Sequence, residues 1–257
     1  MGDLVVTTAA EDVGLASRLG DLADPEIAEF LYQDAVSIAL FDALSLRFPE
    51  YTLIGVDPAC PRVPVAVLYT VPFTWIPDPA ADLPPGGYDE VLLRAAEDQL
   101  TGRRGNLVSA VLALVRPDAR GRGFSALMLA AARSNAAALG HASLVAPVRP
   151  TRKHLHPQMT MAEYAARVRD DGLPQDPWLR VHARAGGRMV AVAPNSMSVS
   201  APLSRWRQWT GLPFDTAGPV VVPGGLTPVH CDLAEDIAVY VEPNVWFHHQ
   251  IVDGVAR

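Results

Sequence analysis

Apolar spacing changes along this chain in a way that separates helices from strands. From 24 to 51, "DPEIAEFLYQDAVSIALFDALSLRFPEY", apolar residues recur at intervals of three and four, which predicts one long amphipathic helix. "VPVAVLYTVPFTW" (63–75) is apolar and β-rich but interrupted by Pro72, which predicts a strand with a bulge or an edge position. The Pro/Gly-rich stretch 78–87 reads as a loop, and 88–102 as a helix closed by Gly102. "NLVSAVLALV" (106–115) is almost wholly apolar, as a strand covered on both faces should be. An Ala- and Leu-rich helix follows over 123–140, with Gly140 at its C-cap, and then a short buried strand, "ASLVAPV" (142–148). Strand, helix and strand within about 43 residues make a βαβ unit with parallel strands.

Downstream, 160–172 reads as a helix opened by a Thr160/Glu163 capping box. The segments "WLRVHARAGGRMVAVAP", "SMSVSAPL", "GPVVVPGGLTPVHCDL" and "VYVEPNVWFHH" read as short strands, with 204–211 a short helix or turn between them. No repeat and no linker-like stretch is visible. The expectation is one mixed α/β domain over 1–257, with N-terminal helices and strands (1–105), a βαβ core (106–150) and C-terminal strands (151–257).

Composition narrows the class. Of 257 residues, 49% are apolar and 19% charged, the profile of a folded globular chain, and the net charge of −7 argues against a nucleic-acid partner. Two cysteines, Cys60 and Cys231, are too few for a disulfide framework, so the expected setting is a reducing cytoplasm; neither lies in a catalytic-cysteine motif. The first residues lack the basic and apolar regions of a secretion signal, and no apolar run reaches the length of a membrane span. His154, His156, His248 and His249 lack a third ligand at a recognisable spacing, so no metal is expected.

The chemistry concentrates in "RPDARGRGFSALML" (116–129), a strand-to-helix junction with two glycines and three arginines. Backbone N–H groups at a helix start lack carbonyl partners and attract anions, and glycine removes the Cβ atoms that would keep an anion away. Arg120 and Arg122 add charged donors suited to phosphate oxygens. The plainer alternative is a simple turn with solvated arginines. A nucleotide P-loop is excluded, because no Gly-Lys-Ser/Thr occurs. Gly121, Gly123 and Ala126 match a dinucleotide fingerprint formally, but five residues precede the first glycine and no further βαβ unit follows, so a nicotinamide enzyme is disfavoured. Residues 101–153 carry nine basic residues against one acid, Asp118, a patch suited to a phosphate-bearing donor or an acidic carrier protein.

The stretch "VRPDARGRGFS" resembles the acyl-CoA-binding motif R/Q-x-x-G-x-G/A of the GNAT acyltransferase superfamily, with Arg120, Gly123 and Ser125 in the consensus places and Ser125 a mild departure. Val115 and Pro117 match the hydrophobic-x-Pro that ends the preceding strand. "PVRPTRKH", "DGLPQDPWLRVHARAGGRMV", "RWRQWTGLPF" and "VEPNVW" are similar to GNAT-like domains of secondary metabolism, including those of polyketide synthase loading modules. The resemblance implies a GNAT fold, a central twisted mixed sheet flanked by helices, with splayed parallel strands holding pantetheine. It implies donor binding by Val115, Arg120, Gly121, Arg122, Gly123, Phe124 and Ser125, the donor being acyl-CoA or a phosphopantetheine thioester. It implies transfer to a small-molecule acceptor, by preference an amine; decarboxylation of a malonyl thioester, S-acyl transfer to a carrier protein met in trans, and a non-catalytic thioester sensor are the alternatives.

Acyl transfer calls for a base and an oxyanion donor. His182 is the first candidate base, against a satisfied strand histidine as the plain alternative. Thr151 matches, by motif order, a Thr that works with a His in decarboxylating relatives, whereas Thr160 reads as a helix cap. Arg149, Arg180 and Arg184 are candidates for a substrate carboxylate, and Arg184 would share a strand face with His182. Asn244 and Trp246 are candidate acyl-pocket residues, with a core Trp the plain alternative, and Glu242 is a reserve base.

Overall fold

The computed structural model describes residues 3–22 and 27–251. One sheet organises them. Its strands are β1 (Val5–Thr8), β2 (Thr52–Val56), β3 (Pro64–Phe73), β4 (Leu107–Val115), β5 (Ser143–Val148), β6 (Arg188–Pro202), β7 (Gly218–Val220), β8 (Val229–Asp232) and β9 (Ile237–Gln250). Their order is β1-β2-β3-β4-β5-β9-β8-β7, and β6 pairs along β9. Among the described residues only β4 and β5 pair in parallel, as a βαβ crossover requires.

The helices are α1 (Val13–Ala16), α2 (Ala35–Arg47), α3 (Gly87–Thr101), α4 (Phe124–Ala138), α5 (Met161–Ala165), α6 (Pro177–Arg184) and α7 (Leu203–Thr210). Leu44 of α2 and Val91, Leu92 and Ala95 of α3 pack on Phe73, Val145 and Trp246 on one sheet face. On the other face Met128, Leu129 and Ala132 of α4 meet Leu53, Leu68 and Leu144, while Tyr164 of α5 and Leu179 of α6 meet Val245 and Phe247. Alternation along β9 explains the two layers, since Trp246 and Phe247 point to opposite faces. No helix among the described residues is long and apolar enough to cross a membrane.

Several expectations need correction. The helix expected over 24–51 is a 3-10 turn at Glu29–Gln33 followed by α2, and residues 24–26 lie outside the described residues. The break falls at Asp34, whose extended backbone lets its carboxylate accept the Ser37 N–H at 2.7 Å and start a fresh helix. β3 is an interior strand and not an edge. Its ladder with β4 shifts register between Tyr69 and Thr70, but the extra residue there is Val111 of β4, so the bulge is not in the strand that carries Pro72. Pro72 is tolerated because β2 ends at the Thr52–Tyr69 pair, so its missing N–H faces no partner strand. The helix expected over 160–172 stops at Ala165, with its Thr160/Glu163 capping box in place. Beyond it, the bridge between Val168 and Pro174 and left-handed Gly172 (φ +75°) form a tight hairpin.

The largest correction is at "PWLRVHAR", read as strand and observed as α6. Asp176 caps it through the N–H groups of Trp178 and Leu179, and Pro177 occupies its first turn, a helix-start signature. On a helix, residues two apart do not share a face. His182 is therefore buried while Arg184 is exposed.

Candidate active site

A cleft of about 1390 Å³ is walled by β4, β5, the start of α4 and the segments 147–154 and 221–224. At one end, a single 3-10 turn (Pro117–Ala119) and extended Arg120 lead into Gly121 (φ +79°) and Gly123 (φ +85°). This left-handed pair is open to glycine at little cost and turns the chain into α4, whose first N–H groups have no carbonyls within the helix. Val115, Arg120 and Ser125 line the cleft here. Phe124 is buried against Val65 and Ala119 and anchors the loop from behind. Arg122 gives its guanidinium to Asp57 at 2.6 Å and stacks 4.5 Å over the Phe124 ring. The Ala59 N–H and Arg122 together hold the Asp57 carboxyl below its usual range.

The basic patch of 101–153 is thus more balanced in three dimensions than along the chain. Arg116 pairs with Asp118, Arg122 with Asp57, and Arg103 with Glu97 and Asp98.

The cleft exists because β4 and β5 stay paired only at Val108–Leu144 and Ser109–Val145. Beyond those pairs, Ala110–Leu114 on one side and Ala146–Val148 on the other become its walls. The outer half of β4 is accordingly half-exposed and not covered on both faces as expected.

Past the splayed strands the wall turns polar. Arg149 donates through Nε to both Glu242 oxygens at 3.0 Å and through Nη2 to the Gly224 carbonyl at 2.6 Å. Glu242 also accepts from the Tyr240 hydroxyl at 2.6 Å and from Asn244 Nδ2 at 3.2 Å. Asn244 Oδ1 accepts from Ser196 Oγ at 2.6 Å, and Ser196 Oγ accepts the Tyr88 N–H at 2.9 Å. Burial opposes the charge on Arg149, but Glu242 beside it outweighs that cost and keeps its pKa above the ordinary value. Burial and the same carboxylate push the Tyr240 phenol up. Both Glu242 oxygens are therefore fully engaged in a buried network.

His182 lines the same cleft from α6, and its Nδ1 lies 3.0 Å from Nε2 of His249 on β9. Both imidazoles are buried, and their outer nitrogens, His182 Nε2 and His249 Nδ1, have no partner. Burial, reinforced by His249, lowers the His182 pKa to about 3; burial, with Arg133 and His248, lowers His249 to about 4. A pair so placed is neutral near physiological pH. Thr151 is exposed on the cleft wall, its Oγ1 3.5 Å from Asp176 Oδ1.

The structure therefore brings His182, Thr151, Arg149 and Asn244 onto one cleft with Val115, Arg120 and Ser125. Trp246, expected in an acyl pocket, is instead buried among α2 and α3, its indole donating to the Pro84 carbonyl at 2.8 Å. Arg184 is exposed on α6, and Arg180 is committed to the carbonyls of Pro174 and Gln175. Neither cysteine lines the cleft; both are free thiols, Cys60 exposed and Cys231 buried. Among the described residues no group of three His, Cys, Asp or Glu side chains is placed to hold a metal ion.

Reading the sequence alone missed four features. Asp176 is buried and ties the Thr151–Arg152 backbone to α6; the Asp-Pro pair before the helix was its signal. His249 is joined to His182 across 67 residues, which spacing cannot reveal. Tyr88 lines the cleft with its hydroxyl 2.9 Å from Ser37 Oγ. Behind it, burial and Asp34 push the Asp89 carboxyl up to about 8, so this acidic pair keeps a proton at neutral pH.

No family model matches the sequence. An arginine N-acetyltransferase of Aspergillus versicolor is 36% identical over 194 residues, covering 67% of this chain and 67% of that protein. Among solved structures, the loading GNATL domain of CurA from Lyngbya majuscula superposes with a TM-score of 0.59 at 17% identity, over 97% of this chain and 98% of that one. The GphF GNAT-like decarboxylase in complex with isobutyryl-CoA gives 0.53 at 14% identity, over 97% and 100%. At these identities the two structures speak to the fold.

Proposed function

The chain belongs to the GNAT acyltransferase superfamily, and from that premise we propose that it moves a small acyl group from CoA, or from a carrier-bound pantetheine thioester, directly to an amine. The observation carrying this reading is the cleft itself. It runs from the glycine-rich start of α4, between two parallel strands that separate after two residue pairs, to a polar wall bearing Thr151 and His182. The donor end fits a diphosphate, with unpaired N–H groups, two left-handed glycines, Arg120 and Ser125. The splayed strands offer main-chain groups to a pantetheine arm.

Transfer at that wall needs no enzyme nucleophile, in keeping with cysteines that lie away from the cleft. The amine nitrogen attacks the thioester carbon, and a C–N bond forms while the carbonyl π pair moves onto oxygen. As that pair returns, the C–S bond breaks and sulfur leaves with its electrons. The proton lost by the amine is balanced by the one gained by the thiol, exchanged through solvent. His182 and Thr151 supply polar contacts to the thioester, and Arg149 and Asn244 shape the acceptor side.

The relative named an arginine N-acetyltransferase puts arginine first among acceptors to try. Purified protein with acetyl-CoA and a panel of amines headed by arginine is expected to release free thiol in an amine-dependent way, with the acylated amine seen by mass spectrometry. Absence of amine-dependent release from CoA and carrier-bound donors alike would refute the reading. The shared placement of His182 and Thr151 on one cleft favours a second reading, malonyl-thioester decarboxylation or S-transfer to a carrier. Incubation with malonyl-CoA alone separates the two, since acetyl product without amine belongs only to the second.

A further inference from the structure

The buried imidazole pair constrains what His182 is able to do at the cleft. Its Nδ1 is taken up by His249 Nε2 at 3.0 Å, and its Nε2 is buried without a protein partner where α6 lines the cleft. The pair is tightly enclosed. Trp178 and Phe247 flank His182, with ring centroids at 4.6 and 5.2 Å. Gly187 closes the turn behind it, donating its N–H to the His182 carbonyl at 2.9 Å, and a Cβ at that glycine would stand 2.7 Å from His249 Nε2.

Two neutral imidazoles joined by one hydrogen bond have two arrangements. Either His249 donates from Nε2, leaving its own Nδ1 a bare lone pair and giving His182 an Nε2–H at the cleft; or His182 donates from Nδ1, and His249 is left with a buried Nδ1–H that nothing accepts. Each arrangement leaves one buried N–H without a protein partner, on His182 Nε2 in the first and on His249 Nδ1 in the second. Only His182 lines the cleft, where a bound molecule can accept that hydrogen bond, whereas nothing can reach His249 Nδ1 to relieve the cost of an orphaned donor. Arg133 of α4 decides in the same direction. Its guanidinium donates to the carbonyls of Ala185 and Gln250 and sets positive charge beside His249, which favours a lone pair there over another N–H.

We propose that His249 is a positioning residue that holds His182 as its neutral Nε2–H tautomer, so that His182 meets the thioester carbonyl oxygen as a hydrogen-bond donor and not as the base expected from its sequence context. The inference rests on the acyl-transfer reading for its chemistry, though not for its geometry. In the transition state the π pair arriving on the carbonyl oxygen finds an N–H already in place; no proton leaves His182 and none is returned. The lowered pKa of both rings agrees, because an imidazole near 3 is too weak a base to take a proton at neutral pH.

The test begins with imidazole nitrogen shifts of the uniformly 15N-labelled full chain near neutral pH. His182 is expected to show a protonated Nε2 and a bare Nδ1. The reverse tautomer, or an imidazolium, overturns the proposal. The kinetic arm compares His249→Gln, whose amide can still donate to His182 Nδ1, with His249→Leu, which cannot. The Gln variant should keep kcat within about threefold, while the Leu variant loses on the order of a hundredfold in kcat with the donor KM nearly unchanged. Equal losses in both variants, or an effect confined to KM, would contradict it. A wild-type chain inactive with every acyl donor would remove the acyl-transfer reading, while the nitrogen shifts would still decide the tautomer.

Discussion

Replacing Asp176 should do more damage to stability than replacing either glycine of the donor loop, and the structure shows why. This buried carboxylate accepts at Oδ1 from the N–H groups of Trp178 (2.9 Å) and Leu179 (3.2 Å), and at Oδ2 from the Arg152 N–H and the Tyr164 hydroxyl, both at 2.9 Å. Asp176→Ala removes a helix cap worth about 0.5–2 kcal/mol. It also strands inward-facing donors at about 1–3 kcal/mol each, softened by partial water access at Arg152. A loss of about 3–5 kcal/mol is expected, on the order of 10 °C in Tm for a chain of this size. Asp176→Asn keeps the cap at Oδ1 but turns an amide N–H₂ against the Arg152 N–H, so about 1.5–3 kcal/mol is expected. Urea unfolding with the slope m monitored measures both values. In the Asp176→Asn background, Tyr164→Phe should cost less than in wild type, by at least about 0.5 kcal/mol, because its hydroxyl has lost its acceptor. A loss under about 1 kcal/mol for Asp176→Ala at unchanged m would refute the reasoning.

Three further outcomes follow from the same contacts. His182 and His249 stay neutral in the fold to about 3 and about 4, whereas the unfolded chain takes up these protons near 6.5. The unfolded state thus binds more protons as pH drops, so their contribution is complete above about pH 6.5 and is lost progressively toward pH 4, by about 3 kcal/mol or more. Urea midpoints from pH 7 to 4 should fall more steeply in wild type than in His182→Asn/His249→Gln, and parallel slopes would contradict the neutral pair. Lys153, the sole lysine, is buried with Nζ on the carbonyls of His156 (2.8 Å) and Leu226 (2.6 Å). An amine-reactive reagent should therefore spare Lys153 in the native chain and label it once urea unfolds the protein; native labelling at the unfolded rate would sink the point. Gly123→Ala forces a Cβ onto a left-handed residue (φ +85°) at the donor end. We expect a cost of about 1 kcal/mol and a donor KM raised roughly tenfold, equal to 1.4 kcal/mol of lost contact, with kcat nearly intact; an unchanged KM would count against a donor at this loop.

What the sequence made legible was local, and particular residues show where that stops. Gly102 and Gly140 announced helix ends, and each adopts the left-handed backbone that a helix terminus favours. Thr160 and Glu163 announced a capping box, which needs only four residues to form. The strand–helix–strand unit around Arg120 and Gly123 was legible for the same reason, as a run of short-range signals in fixed order. "WLRVHAR" was misread because its apolar spacing fits either period, and the deciding evidence, Asp176 and Pro177, stood just outside the stretch being weighed.

The candidate site divides along the same line. Its donor end is a single loop, so a motif could point to it. Its polar wall is assembled from α6, the segment after β5, β6 and β9, and contacts such as Arg149 to Glu242 and His182 to His249 span 93 and 67 residues. Charge shows the gap most clearly. Along the chain, 101–153 is a basic run; in space Asp57 from outside the run settles on Arg122, and Glu97 and Asp98 settle on Arg103. A count of charges along a sequence sums what each segment carries, but the field a ligand meets is what remains after tertiary pairing, and pairing is decided by the fold. Histidine chemistry obeys the same limit. An isolated imidazole reads as a base near neutral pH, and only burial beside a second ring turns His182 into a neutral group whose useful atom is its proton.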